Sequence, residues 1–233
     1  MFHFKKFSID DSRCAMKIGI DSVLLGSWVK PESANTFLDI GCGCGILSIM
    51  MAQRMQKSIV TGIEIDAEAA AQAKQNVILS PWSNRIEIIH NSFQQFAPSI
   101  NRQYDLIISN PPFFHNSLKS ISQTRNMARH SDSLPVDKIF ENLHFITHEM
   151  SKINFIIPFD LFDNWIKKAH DYKFYPQRVC WVKSLPSHPH HRVMVCFGKN
   201  KKDCDYSELC IYNAHKQYSE DYKLLTGDFY LHF

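Results

Sequence analysis

The stretch DLIISNPPFF, Asp105 to Phe114, joins an apolar run to an asparagine, two prolines and two aromatic rings. Proline at a strand end is ordinary, because it cannot donate to the ladder. An asparagine in front of it fixes an amide and a bare carbonyl beside a ring. That set suits a planar exocyclic amine, a poor nucleophile because its lone pair is delocalised into its ring. The Asn110 amide oxygen and the Pro111 carbonyl would accept hydrogen bonds from both of its N–H groups. They would hold the nitrogen toward tetrahedral geometry, in line with an incoming carbon. Phe113 or Phe114 would stack on the flat face of the base. No strong base is needed, because the proton can leave after transfer. Asn110, Pro111, Pro112 and Phe113 are therefore the candidate catalytic set. The plainer reading is a strand closed by proline with a buried phenylalanine.

A second stretch, LDIGCGCG, places Asp39, Gly41, Gly43 and Gly45 after one apolar run and before a helical pattern. In an open parallel sheet, ligands bind beyond the carboxyl ends of the strands. The glycines let a ligand approach the backbone closely. Their spacing is G-x-G-x-G, with Ile46 where the dinucleotide fingerprint has its third glycine. A pyrophosphate cradle is disfavoured, and an acid in front of the loop would repel phosphate but hold an ammonium group. Glu64, with Ile65 beside it, ends the next strand 25 residues after Asp39. An acid there accepts from both hydroxyls of a ribose. Asn91 and Ser92 end the third strand, where an adenine would lie. An amino-acid head near Asp39 and a ribose on Glu64 describe S-adenosylmethionine. The alternative, a tight turn whose glycines serve packing alone, is weakened by the strands on both sides and by Glu64. Cys42 and Cys44 lack the four-ligand spacing of a zinc site and read as small apolar filler.

The elements that must position these residues follow from periodicity. Residues 36–40, 58–65, 85–90, 104–109 and 152–159 are apolar and rich in β-branched residues. Helical patterns follow at 46–55, 66–80, 136–150 and 160–172, with Asp66 placed to cap the second. Strands alternating with helices mean βαβ units and a parallel sheet covered on both faces. After residue 173 two strands, 178–183 and 191–198, follow with no helix between them, and 207–213 has the pattern of a further short strand. The expected architecture is one α/β domain, a three-layer αβα sandwich. Residues 1–35 form an N-terminal segment capping cofactor and substrate, 36–172 the βαβ core, and 173–233 the antiparallel strands and tail.

The chain has 233 residues, is 45% hydrophobic and carries a net charge of +3. That permits an acidic partner such as RNA without demonstrating one. Lys5, Lys6 and Arg13 cluster near the start, and Arg125, Arg129 and His130 follow the Asn-Pro-Pro motif. With Phe114 they are the candidate RNA contacts, each weighed against a plain solvated surface. The loop SHPHHR at 187–192 lacks carboxylate or cysteine partners at ligand spacing and reads as a polar hairpin loop rather than a metal tract. Seven cysteines without framework spacing, no secretory signal pattern and no run near the ~18 apolar residues of a membrane span imply a reduced, cytoplasmic protein. No metal and no membrane partner is expected, and the chain is read as a monomer.

With these motifs the sequence resembles a class I S-adenosylmethionine-dependent methyltransferase of the Asn-Pro-Pro-aromatic branch. The opening FKKFSIDDSRCAMKIGIDSVLLGSWV (4–29) is similar to that of bacterial tRNA(Val) adenine-N6 methyltransferases, as are ISNPPFF, ARHSDSL, HHRVMVCF and the terminal YSEDYKLLTGDFYLHF. The resemblance spans nearly the whole chain. It implies a Rossmann-like, seven-stranded, mostly parallel sheet whose last strand is antiparallel. It implies cofactor contacts from Lys17, Asp21, Asp39 and Glu64, target contacts from Asn110 and Phe113, and methyl transfer to N6 of the adenine 3′ of the anticodon. Two positions depart from the family pattern: Ile20 stands where a threonine is usual, and Asn91-Ser92 where an acid is usual. An amide or hydroxyl can still bond an adenine amine. A protein-glutamine methyltransferase shares the motif, but its family carries a helical domain before the glycine loop, and only 38 residues precede Asp39 here. A DNA adenine methyltransferase would need a target-recognition insertion that the sequence lacks. A binding module that has lost catalysis is disfavoured by intact Asp39, Glu64 and Asn110.

Overall fold

The computed structural model describes residues 1–31, 34–112 and 135–232. A short antiparallel ribbon, β1 (Phe2–His3) with β2 (Ser8–Ile9), precedes helix α1 (Ile20–Trp28). Then come β3 (Thr36–Ile40), α2 (Ile46–Arg54), β4 (Ile59–Glu64), α3 (Ala67–Ile78), β5 (Ile86–His90), α4 (Phe93–Ser99) and β6 (Leu106–Ser109). After the Asn-Pro-Pro turn the described chain resumes with α5 (Val136–Ile146), β7 (Lys152–Pro158) and α6 (Phe162–Asp171). It ends with β8 (Tyr175–Lys183), β9 (His190–Gly198), β10 (Asp205–Cys210) and α7 (Glu220–Thr226).

The main sheet runs β10-β8-β9-β7-β6-β3-β4-β5. Only β9 runs against the rest, paired antiparallel to both β7 and β8. The strands β3, β6 and β7 are buried along nearly their whole length, as a sheet covered on both faces requires. One apolar core joins α1, α2, α3 and α7 to one face, through Val23, Leu25, Ile49, Met50, Ala73 and Tyr222. The other joins α4, α5 and α6 to the opposite face, through Phe93, Phe96, Phe140, Leu143 and Trp165. The three-layer αβα sandwich is therefore present.

Among the described residues the sheet has eight strands where seven were expected. Residues 205–210 pair in parallel with β8 over six residues and form the outer edge. The antiparallel strand is accordingly interior, between β7 and β8, and not the last. The strand is legible at 207–210, but its edge pairing depends on β8 being uncovered, which periodicity does not encode.

Local chemistry places the loops that matter. Asp66 caps α3, its carboxylate accepting the Ala69 N–H at 2.8 Å. The chain order reverses between β3 and β6, which lie side by side with Asp39 opposite Ile108. A crevice opens at that switch point, beyond the carboxyl ends of the strands.

Candidate cofactor and target-amine site

A cavity of about 480 Å³ lies at this switch point. That falls within the range of small-molecule sites, roughly 300–1,000 Å³. The glycine loop, Glu64, Asn91 and the Asn110-Pro111-Pro112 turn all line it. Residues that the sequence placed 71 positions apart, Asp39's loop and Asn110, are thus brought to one space, because Ile40 and Ser109 end adjacent strands. The Ser109 hydroxyl donates to the Ile40 carbonyl at 2.7 Å and ties these ends together.

The glycine loop is wound back onto β4. The N–H groups of Gly41 and Cys42 both donate to the Ile63 carbonyl at 2.9 Å, and that of Gly45 donates to the Cys42 carbonyl at 2.8 Å. The Gly43 N–H donates to Glu64 Oε2 at 2.8 Å, and the Asp66 N–H to Glu64 Oε1 at 2.9 Å. With its donors occupied in this way the loop is no phosphate cradle. Gly41 and Gly43 have φ of 68° and 55°, and a Cβ on either would meet no atom within 4 Å. Both positions line the cavity, so the missing side chains leave room for a ligand against the backbone. Each Glu64 oxygen keeps a second lone pair.

The structure places several of the expected residues off the cavity wall. Asp21 does not line the cavity: its carboxylate accepts from Arg192 Nε at 2.8 Å. Asp39 is fully buried beneath the loop, where Ser48 donates to Oδ2 at 2.7 Å. Its other oxygen has no partner among the described residues. Gly45, at φ 82°, starts α2 and approaches α3, where a Cβ would meet Ala73 at 3.3 Å. Ser92 caps α4 by accepting the Gln95 N–H at 3.3 Å, and Asn91 alone of that pair faces the cavity. Lys17 and Ile65 do line it. The Lys17 ammonium, however, donates to the carbonyls of Asp11, Ser12 and Cys14 at 2.6 to 3.1 Å, fastening the segment that roofs the cavity. Lys5 donates to the Gly227 carbonyl, while Lys6 and Arg13 are exposed with no hydrogen bond to a described residue. Phe113, Phe114, Arg125, Arg129 and His130 lie outside the described residues.

The roof is itself anchored. The Asn76 amide donates to the carbonyls of Asp10 and Cys44, each at 2.8 Å, and accepts the Asp10 N–H at 3.0 Å. One side chain of α3 therefore holds both the N-terminal segment and the glycine loop. Cys14, Cys42 and Cys44 are buried against the cavity, and burial pushes the Cys42 thiol up, so it stays a neutral filler.

Four further wall groups carry no functional signal in the sequence. Phe93, Ile139 and Phe155 form an apolar floor, and their periodicity marks them only as core. Ser22, on the first turn of α1, lines the cavity too. Its Oγ accepts from Asn110 Nδ2 at 3.1 Å. The amide oxygen of Asn110 accepts no hydrogen bond from a described residue.

Burial raises the Asp39 carboxyl to about 7, with the Glu64 charge adding to the rise and the Ser48 hydrogen bonds opposing it. The folded value lies above the unfolded one, so this group's contribution to stability is present below pH 3.8 and is lost as pH rises through 7. Between pH 5 and 8 it should cost the ligand-free fold roughly 3 kcal/mol. Urea unfolding at both pH values is expected to show that loss in the wild type and a much flatter profile in Asp39→Asn. An equal loss in both proteins would assign the pH dependence to other groups.

Comparison with known proteins places this geometry. The model of the Methyltransferase small domain matches residues 13–134. A "tRNA1(Val) (adenine(37)-N6)-methyltransferase" of Bacteroides thetaiotaomicron is 40% identical over 232 residues, 99% of this chain and 97% of the relative. Relatives of the same name from Flavobacterium psychrophilum and Klebsiella pneumoniae are 36% and 37% identical, over 99% of this chain and 99% and 94% of theirs. Among solved structures, the "predicted O-methyltransferase" Atu636 of Agrobacterium tumefaciens superposes with a TM-score of 0.70 at 18% identity, covering 90% of this chain and 96% of its own. Precorrin-6y C5,15-methyltransferase of Geobacter metallireducens does so with a TM-score of 0.56 at 11% identity, covering 84% and 94%. At these identities the two superpositions speak for the fold.

Proposed function

The chain belongs to the tRNA1(Val) (adenine(37)-N6)-methyltransferase family, and from that premise we propose that it transfers a methyl group from S-adenosylmethionine to N6 of adenine 37 of a valine tRNA. The observation that carries the reading is the Asn110-Pro111 turn on the wall of a cavity whose other end is the glycine loop and Glu64.

The donor supplies an electrophilic methyl on a sulfonium sulfur. Glu64 is suited to bond a ribose through its remaining lone pairs, and Asn91 to meet the adenine edge of the donor. Asp39 lies behind the cavity lining with one oxygen unpartnered among the described residues, and that oxygen is what it has left to offer an ammonium group. On the target side, Asn110 Oδ1 and the Pro111 carbonyl accept from the two N–H groups of the adenine amine. Both are neutral acceptors and neither is a base. They orient the nitrogen lone pair, and the proton displaced by the new N–C bond passes to water. Pro111 and Pro112 have no N–H, so no backbone donor of theirs competes for the amine. Phe93, Ile139 and Phe155 supply apolar lining to the same cavity.

The test uses the purified protein, methyl-labelled S-adenosylmethionine and total tRNA from a strain lacking the modification. Digested nucleosides are read by mass spectrometry. N6-methyladenosine confined to a valine tRNA is the expected result. Label on protein, with none on tRNA, would keep the methyl-transfer chemistry and replace the substrate.

A further inference from the structure

We propose that Ser22 is a positioning residue for the transfer, acting through the Asn110 amide and resting on the reaction proposed above. A side-chain amide has one acceptor arm and one donor arm, and its terminal torsion is broad and roughly two-fold. An amide free to turn would present its NH₂ group to the target amine about as often as its oxygen, and two donors facing each other bond nothing. The Ser22 hydroxyl accepts from Nδ2 at 3.1 Å. With the NH₂ arm held there, Oδ1 is the arm left for the amine.

Ser22 is itself held in place. It is buried on the first turn of α1, a helix whose start has no side-chain cap at Gly19. Two ties nonetheless anchor this end of the helix. Ile18 N–H donates to Asp11 Oδ2 at 2.9 Å, and Asp21 next to Ser22 takes the Arg192 guanidinium at 2.8 Å. Arg192 sits on β9, opposite Pro158 of β7, so α1 is pinned to the sheet two strands from Asn110. The hydroxyl is rigidly placed before any substrate arrives, and orientation set in advance is where positioning catalysis draws its effect.

The experiment is a double-mutant cycle read by single-turnover methylation of the tRNA substrate. Ser22→Ala is expected to lower the rate about tenfold, a loss of the size of one neutral hydrogen bond, with the KM for S-adenosylmethionine within twofold of wild type. Ser22→Thr keeps the hydroxyl and should restore most of the rate. In an Asn110→Ala background the further change Ser22→Ala should do nothing, because the amide it orients is gone. An equal tenfold loss in both backgrounds would overturn the proposal, since Ser22 would then act on the fold or the cofactor. So would a Ser22→Ala protein with wild-type rate. The wild type run alongside separates the two claims. If it makes N6-methyladenosine and Ser22→Ala is undiminished, only the role of Ser22 fails. If it makes none, the substrate reading fails and the proposal goes with it.

Discussion

Asn110→Ala is expected to lower methyl transfer by roughly 10²–10³-fold, the range seen when one preorganised polar group is removed from a reacting centre. The cofactor should bind almost as before. The asparagine stands at the end of β6, and the groups suited to the donor come from β3, β4 and the loop after β5. Removing the amide takes one of two acceptors from the target amine, whose nitrogen then keeps its lone pair delocalised. The substitution is also mild structurally, since the side chain is only part-buried and its one described bond is to Ser22. Calorimetry with S-adenosylmethionine and single-turnover methylation of tRNA give the two numbers. A rate within threefold of wild type would remove Asn110 from the mechanism, and a lost cofactor affinity would reassign it to the donor side.

Glu64→Gln should act at the other end of the cavity. The carboxylate accepts the N–H groups of Gly43 and Asp66, one on each oxygen. A glutamine offers one oxygen and one NH₂ group. Either the Gly43 or the Asp66 N–H would then face another donor, and one ribose hydroxyl would lose a charged acceptor. A hydrogen bond to a charged group contributes about 1.5–3 kcal/mol, so the dissociation constant for S-adenosylmethionine should rise roughly 10- to 150-fold. At saturating cofactor the rate of transfer should fall far less, because Glu64 touches nothing on the target side. An unchanged dissociation constant would show that the carboxylate serves the loop alone.

What could be read in the sequence was whatever depends on strand ends. TFLDI followed by glycines, and DLIIS followed by Asn-Pro-Pro, each put their chemistry where a parallel sheet presents it. Glu64 is legible for the same reason. The residues that lie off the cavity wall share a different cause. Asp21 takes Arg192, 171 positions away, and no local pattern announces that pairing. Ser92 has the form of a helix cap as much as of a ligand contact, and the N–H groups starting α4 decide between them. Asp39 precedes the glycines as an ammonium-binding acid would, yet its strand turns it inward onto Ser48. Ser22 was invisible because a serine on an apolar helix face carries no signal until the helix is packed.

Asn76 carries a kinetic consequence. One amide joins the roof at Asp10, the glycine loop at Cys44 and helix α3. These elements cannot loosen one at a time without leaving a buried amide group unbonded. Roof and loop therefore form one cooperative opening unit, with a single free energy of exposure shared by its backbone amides. Hydrogen exchange should report it as such. The protons of Gly41, Cys42 and Asp10 should give one common free energy of opening in the free protein, once each is corrected for its intrinsic exchange rate, and slow together when ligand fills the cavity, and Asn76→Ala should split that common value into separate ones.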